Sequence, residues 1–116
     1  MSHVKEIGAA EYETEVVGAS KAGPVVLDFY STECPPCEAL APKFEALAQQ
    51  FAGSARFVKI FRQGNRDLAQ KLGVSGSPTL VFYRNGVEVG SRLSGEDIKR
   101  SAVKAQVEAL LAAAAA

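Results

Sequence analysis

Apolar and polar positions along this chain switch between two periods, one suited to strands and the other to helices. Val25-Val26-Leu27-Asp28-Phe29-Tyr30 is a near-continuous apolar run rich in β formers, which predicts an interior strand covered on both faces. From Pro35 to Phe51 the apolar residues Leu40, Phe44, Leu47, Ala48 and Phe51 recur at spacings of three and four, the stripe of an amphipathic helix. Pro42 lies inside that stretch; it lacks an N–H and crowds the preceding turn, so it predicts a kink rather than two separate helices. Upstream, Val4 to Ile7 predicts a short strand. Ala9 to Lys21 predicts a helix, with Glu11, Glu13 and Glu15 early, where the dipole favours acidic residues, and Tyr12, Val16 and Val17 for its buried side. Ala22-Gly23-Pro24 breaks it.

Downstream, Gly53-Ser54 precedes a β-like segment over Arg56 to Phe61, and a brief helix over Asn65 to Leu72 stops at Gly73. After Ser77-Pro78, the runs Thr79 to Arg84 and Val87 to Leu93 flank Asn85-Gly86, the strongest short-range hairpin signal. Ser94 with Asp97 three residues on marks a helix start, and Ile98, Val103, Val107 and Leu110 supply its inward face. The tail Ala112 to Ala116 has high helix propensity but few apolar partners and is expected to fray. The order is strand–helix–strand–helix–strand–helix–strand–strand–helix without repeat or long linker, an α/β or mixed layout.

Length makes this one domain, residues 1–116. With 47% apolar and 22% charged residues the chain has the composition of an ordinary globular protein. Its 13 basic residues balance 13 acidic ones, which removes long-range attraction to phosphate or anionic lipid and with it nucleic acid as a leading partner. No run approaches the ~20 apolar residues of a membrane span. Met1 to Gly8 lacks the apolar stretch of a secretory signal, so the expectation is a cytoplasmic protein with no membrane partner.

Two cysteines, Cys34 and Cys37, and one histidine, His3, are too few for a four-ligand structural zinc site, and no metal is expected. Cys34-Pro35-Pro36-Cys37 sits where a buried strand gives way to a helix. On the first turn of a helix this spacing brings two sulfurs within reach of one disulfide and leaves the first more exposed than the second. The unpaired N–H groups and partial positive charge of a helix N-terminus stabilise a thiolate. Cys34 is then the attacking nucleophile, and Cys37, one turn deeper, resolves the mixed disulfide. Three other readings stay open. The pair could be a structural disulfide, although closing so small a ring stabilises by only about 2 kcal/mol. It could be half of a metal site shared between two chains, or two buried, inert thiols. Asp28 stands out separately, because a carboxylate in an interior strand costs free energy unless paired, solvated or protonated.

Several separated features together resemble the thioredoxin family: Val25 to Tyr30 ahead of the cysteines, Ala41-Pro42 after them, Lys59 in the next strand, Gly76-Ser77-Pro78-Thr79 before the hairpin, and Asn85-Gly86. The resemblance covers nearly all of the chain. It implies the thioredoxin fold, a central mixed β-sheet flanked by helices, with Pro78 in cis facing the cysteines and the Ser77 backbone free to pair with an extended substrate. It further implies that Asp28 exchanges a proton with Cys37, its pKa raised by burial, with Lys59 as partial counter-charge. A trans Pro78 opening an edge strand and a purely structural Asp28–Lys59 pair are the competing readings.

The chain departs from that family at the docking face. Glu33 stands where tryptophan is usual, and Pro35-Pro36 replaces Gly-Pro, so one N–H donor to the Cys34 thiolate is lost and a negative charge is added beside it. Ser77, Ser94-Gly95 and Glu38 make the face more polar, which should disfavour acidic substrates. Glu33, Pro35, Pro36, Ser77, Pro78 and Ser94 are thus the expected substrate contacts. The expected activity is a protein-disulfide reductase cycling Cys34 and Cys37 between dithiol and disulfide without a bound cofactor. Its partners would be disulfide-containing proteins and a reductase that donates electrons. The rivals are a disulfide oxidant or isomerase of the same fold, and a docking module that uses its thiols little.

Overall fold

The computed structural model describes residues 2–115, and the unbroken apolar run Val25–Tyr30 becomes its central strand, β2, buried at every position but the last. To one side lie β3 (Arg56–Phe61) and then β1 (Val4–Ile7), both parallel; to the other lie β4 (Thr79–Arg84) and β5 (Val87–Ser94), antiparallel. The sheet is therefore mixed, in the order β1-β3-β2-β4-β5. The β4–β5 hairpin turns on Asn85 and Gly86, both at positive φ (57° and 84°), as a two-residue turn matching strand twist requires.

Successive strand side chains point to opposite faces, and β2 fills both. Val25, Leu27 and Phe29 join Tyr12, Val16, Leu68 and Tyr83 in one buried cluster. Val26 joins Leu40, Phe44, Leu47, Phe57 and Val107 in the other, beneath α1 (Pro35–Gln50) and α3 (Arg100–Ala115). The same alternation aims Asp28 at the α1 face. The predicted stripe of α1 is the buried one, and Pro42 sits exposed on its outer side with the helix continuous through it. There the carbonyl that loses its partner can turn to water, so the proline does not end the helix. The short helix α2 (Arg66–Lys71) lies between Asn65 and Leu72 as caps.

Two expectations need correction. The single helix over Ala9 to Lys21 is instead a mixed coil, with 3₁₀ turns at Ala9–Glu11 and Ala19–Lys21 flanking a π turn at Glu13–Gly18. Its buried residues are Tyr12, Val16 and Ser20, four apart, so the coil keeps the one-sided burial of a helix while its turns alternate between tight and wide. Val17, expected inside, is only half-buried. Ser94 does not start a helix either: it closes β5 opposite Thr79, and the next residue, Gly95, donates its N–H to the Pro78 carbonyl at 3.3 Å. Sheet pairing thus takes the residue that the Ser94–Asp97 spacing offers as a cap, and α3 begins only at Arg100. The α3 assignment extends through Ala115, with Leu110 and Leu111 packed against the core before the tail, and Ala116 lies outside the described residues.

Phe57 is 2% exposed and its ring lies 5.2 Å from that of Phe44, edge to face, and 6.4 Å from that of Phe51, stacked. Phe57→Ala removes the side chain that joins β3 to α1 and is expected to cost about 3–5 kcal/mol of unfolding free energy in urea titration. A loss below about 1 kcal/mol would mean that this face can collapse around the gap.

Candidate functional site

Where β2 ends at Tyr30 the chain turns through Ser31 to Glu33 and enters α1. Cys34 is the N-cap residue, in extended backbone (φ −130°, ψ 92°), and Pro35 and Pro36 take the first two helical positions. Proline fits there because the first amides of a helix have no internal acceptor. Neither proline has an N–H, so the first amide able to donate is that of Cys37, and it donates to Cys34 Sγ at 3.3 Å. The Glu38 N–H donates to the Cys34 carbonyl at 3.0 Å. The two sulfurs are joined in a disulfide, with Cα atoms 5.2 Å apart. Cys34 is half-buried and Cys37 buried, the order of exposure the sequence predicts.

Facing them, the Ser77–Pro78 peptide bond is cis, and the Ser77 carbonyl oxygen lies 3.7 Å from Cys34 Sγ. Ser77 is held from its side-chain end: its Oγ is 2.6 Å from Ser31 Oγ and accepts from Arg62 Nε at 2.8 Å. Gln63 Oε1 in turn accepts from the Thr32 N–H and from Thr32 Oγ1, both at 3.0 Å. The loop before Cys34, the 3₁₀ turn Arg62–Gly64 and the Ser77 loop are thus tied together. Sequence reasoning missed Ser31, Thr32, Arg62 and Gln63. Their signal was polar residues immediately after two strands, and it becomes readable only once β2 and β3 are known to be parallel neighbours, with Tyr30 opposite Phe61.

Asp28 is 6% exposed, and among the described residues its Oδ1 has no hydrogen-bond partner. Burial pushes its carboxyl up from 3.8 to about 7, opposed by the charge of Lys59. Lys59 stands opposite Asp28 in the β2–β3 register. Its ammonium lies over the Tyr30 ring, 5.2 Å from the centroid, a cation–π contact. Among the described residues the two charges form no direct ion pair, although the Lys59 charge still acts on the carboxyl. Asp28 and Cys37 both line a cleft of about 670 Å³, together with Tyr30, Lys59, Glu33 and Glu38. A buried acid ionising near neutrality beside a thiol pair can take up or release a proton as the sulfurs change state.

Glu33, Pro35 and Ser94 are exposed, and Pro36 and Ser77 half-buried, around this centre, while Pro78 is buried against it. Glu33 has φ of 52°, a left-handed conformation that costs a non-glycine residue about 1 kcal/mol. Nothing in the sequence announced it. Ser94 stands opposite Thr79, the residue after Pro78, in the β4–β5 register. Among the described residues no three His, Cys, Asp or Glu side chains converge as metal ligands would.

Against known proteins, the family model described as Thioredoxin matches residues 3–109. The chloroplastic Thioredoxin X of Arabidopsis thaliana is 35% identical over 93% of this chain, and the match spans 58% of that longer relative. Thioredoxin-2 of Saccharomyces cerevisiae is 42% identical over 70% of this chain and 75% of its own length. The thioredoxin of Haemophilus influenzae is 36% identical over 80% of this chain and 85% of its own.

The position of Asp28 sets a pH dependence. Its folded-state value of about 7 exceeds the ordinary 3.8, so the folded protein binds this proton more tightly than the unfolded chain. The associated stability is complete below about pH 4 and is lost as pH rises through 7; the gap corresponds to about 4 kcal/mol. The oxidised Asp28→Asn variant is therefore expected to be more stable than its parent at pH 8, by up to about 4 kcal/mol, with the difference vanishing near pH 4. Urea titrations at the two pH values check this, and a difference independent of pH would place the carboxylate in solvent-like surroundings.

Proposed function

This chain belongs to the thioredoxin family and is a thiol–disulfide oxidoreductase, and we propose that it reduces disulfides in other proteins through a Cys34–Cys37 dithiol cycle carried by a single domain over residues 1–116. The Cys34 thiolate attacks one sulfur of the substrate disulfide, forming a mixed disulfide as the other substrate sulfur leaves as a thiolate. Asp28 takes the proton of Cys37. The Cys37 thiolate then attacks Cys34 Sγ, closing the Cys34–Cys37 bond and releasing the second substrate thiol. Two electrons pass from the dithiol to the substrate. Lys59 tempers the charge left on Asp28 without pairing it, so the carboxyl can exchange protons near neutral pH.

The observation that carries this reading is the placement of Cys34: N-cap of α1, partly accessible, and 3.7 Å from the carbonyl of a cis Ser77–Pro78 bond. An extended substrate segment lies along Ser77 and Pro78, framed by Glu33, Pro35, Pro36 and Ser94. No bound cofactor takes part, so the spent disulfide is recharged from outside, by a flavin-dependent reductase using a nicotinamide or by another electron carrier. Such a cycle belongs in a reducing compartment, the cytoplasm; among the described residues no helix is long and apolar enough to cross a membrane.

Insulin-disulfide reduction driven by a small dithiol tests the activity, and its repetition with a thioredoxin reductase and its nicotinamide tests the electron source. The wild-type chain is expected to accelerate precipitation, and silence would leave only a docking role. Cys34→Ser is expected to abolish turnover. Cys37→Ser is expected to retain the attack and accumulate a mixed disulfide visible on non-reducing gels, and its failure to do so would assign the nucleophile wrongly. Equilibration with glutathione separates a reductase from an oxidant, the reductase remaining disulfide-bonded at a more reducing poise.

A further inference from the structure

Adjoining the Ser77 loop through Arg62 lies a second cleft of about 470 Å³, lined by the buried Ala69 and Val74 and by Arg62, Arg66, Gln70, Gly73 and Ser75. Among the described residues no acidic side chain lines it. The guanidinium of Arg62 spends only its Nε, on Ser77 Oγ at 2.8 Å, and among the described residues its two terminal nitrogens have no acceptor. Arg66 is exposed and, among the described residues, likewise without an acceptor or an acidic partner. Two forked cations therefore line one cleft with an apolar lining, and one of them, Arg62, binds the residue whose carbonyl lies 3.7 Å from Cys34 Sγ.

The other cleft has the opposite character, lined by Asp28, Glu33, Glu38 and Glu45 against the single cation Lys59. The acidic cleft thus contains Cys37, while the basic one is joined to the cysteine centre through the Arg62–Ser77 hydrogen bond. We infer that the cleft flanked by Arg62 and Arg66 is a subsite for a carboxylate side chain of the substrate polypeptide, close in sequence to its reactive cystine. The inference rests on the reductase reading above and narrows its substrate class. Ser75 is two residues from Ser77, at most about 7 Å of chain, and an extended substrate advances about 3.3 Å per residue. The carboxylate accordingly falls on the order of two to four residues from the cystine. Arginine suits this task because its planar fork presents paired donors to a carboxylate. The general expectation that acidic substrates are disfavoured is therefore replaced by one of orientation: acid is repelled at the Glu33 cleft and accepted at the Arg62 cleft.

The test uses three disulfide-bridged fluorogenic peptides, identical except for paired Glu, Gln or Lys on the order of two to four residues from one cysteine, reduced by the full chain with a small dithiol as recycler. At low salt the Glu peptide is expected to show a kcat/KM about fivefold to tenfold above the Gln peptide, with the Lys peptide below both. The advantage is expected to shrink in 0.5 M salt, as exposed charges are screened. The decisive quantity is the Glu-to-Gln ratio within each variant, since any general loss of activity or folding cancels. Arg66→Gln lowers that ratio, Arg66→Glu brings it below one, and Arg66→Lys keeps most of it. Equal wild-type rates for the Glu and Gln peptides overturn the inference while leaving the reductase reading intact, as does a preference that survives Arg66→Glu. Failure to reduce any of the three peptides overturns both.

Discussion

The burial of β2 on both faces is the constraint from which the rest of this structure follows. A strand with no solvent face must be flanked on both sides, which fixes β3 and β4 as its neighbours and needs a helical layer above and below. The C-terminal end of that strand is where the rigid framework first releases the chain, and the two cysteines come at once. Their placement at the start of α1 is inherited from the sheet rather than from the cysteines themselves. Asp28 is the cost of the same arrangement: a charge seat one pleat from the end of a fully covered strand, left among the described residues without a hydrogen-bond partner for Oδ1.

Most of the framework was legible because it rests on period and punctuation. The stripe of α1, the apolar run of β2 and the Asn85-Gly86 turn all appear where the pattern puts them. What escaped was decided by competition between equally plausible local signals. Ser94 carries a cap-like spacing, but its opposite number in the hairpin is Thr79, and a ladder position outweighs a cap. The stretch from Ala9 to Lys21 keeps a helical spacing of buried residues, four apart, and its departure from a regular helix into 3₁₀ and π turns leaves no mark in that spacing.

The site divides in the same way. Cys34, Cys37 and Asp28 were visible because each breaks a rule of its surroundings, and the cis bond at Pro78 came from the family resemblance rather than from any local pattern. Ser31, Thr32, Arg62 and Gln63 break no rule in one dimension. They are ordinary polar residues until two parallel strands end side by side and bring their following turns into hydrogen-bond range. The basic cleft belongs to this second kind, since Arg62 and Arg66 stand on opposite sides of a turn and line one cleft with Val74 only through the fold.

One atom carries two duties here. Cys34 Sγ is both the helix cap that receives the Cys37 amide and the sulfur whose covalent state changes in every turnover. With Pro35 and Pro36 contributing no amide hydrogens, no earlier donor can take over that role. The charge on this sulfur and the security of the first helical turn are therefore linked. A thiolate would grip the turn and a thiol would loosen it, so amide exchange at one backbone position would serve as a gauge of the redox cycle from inside the molecule.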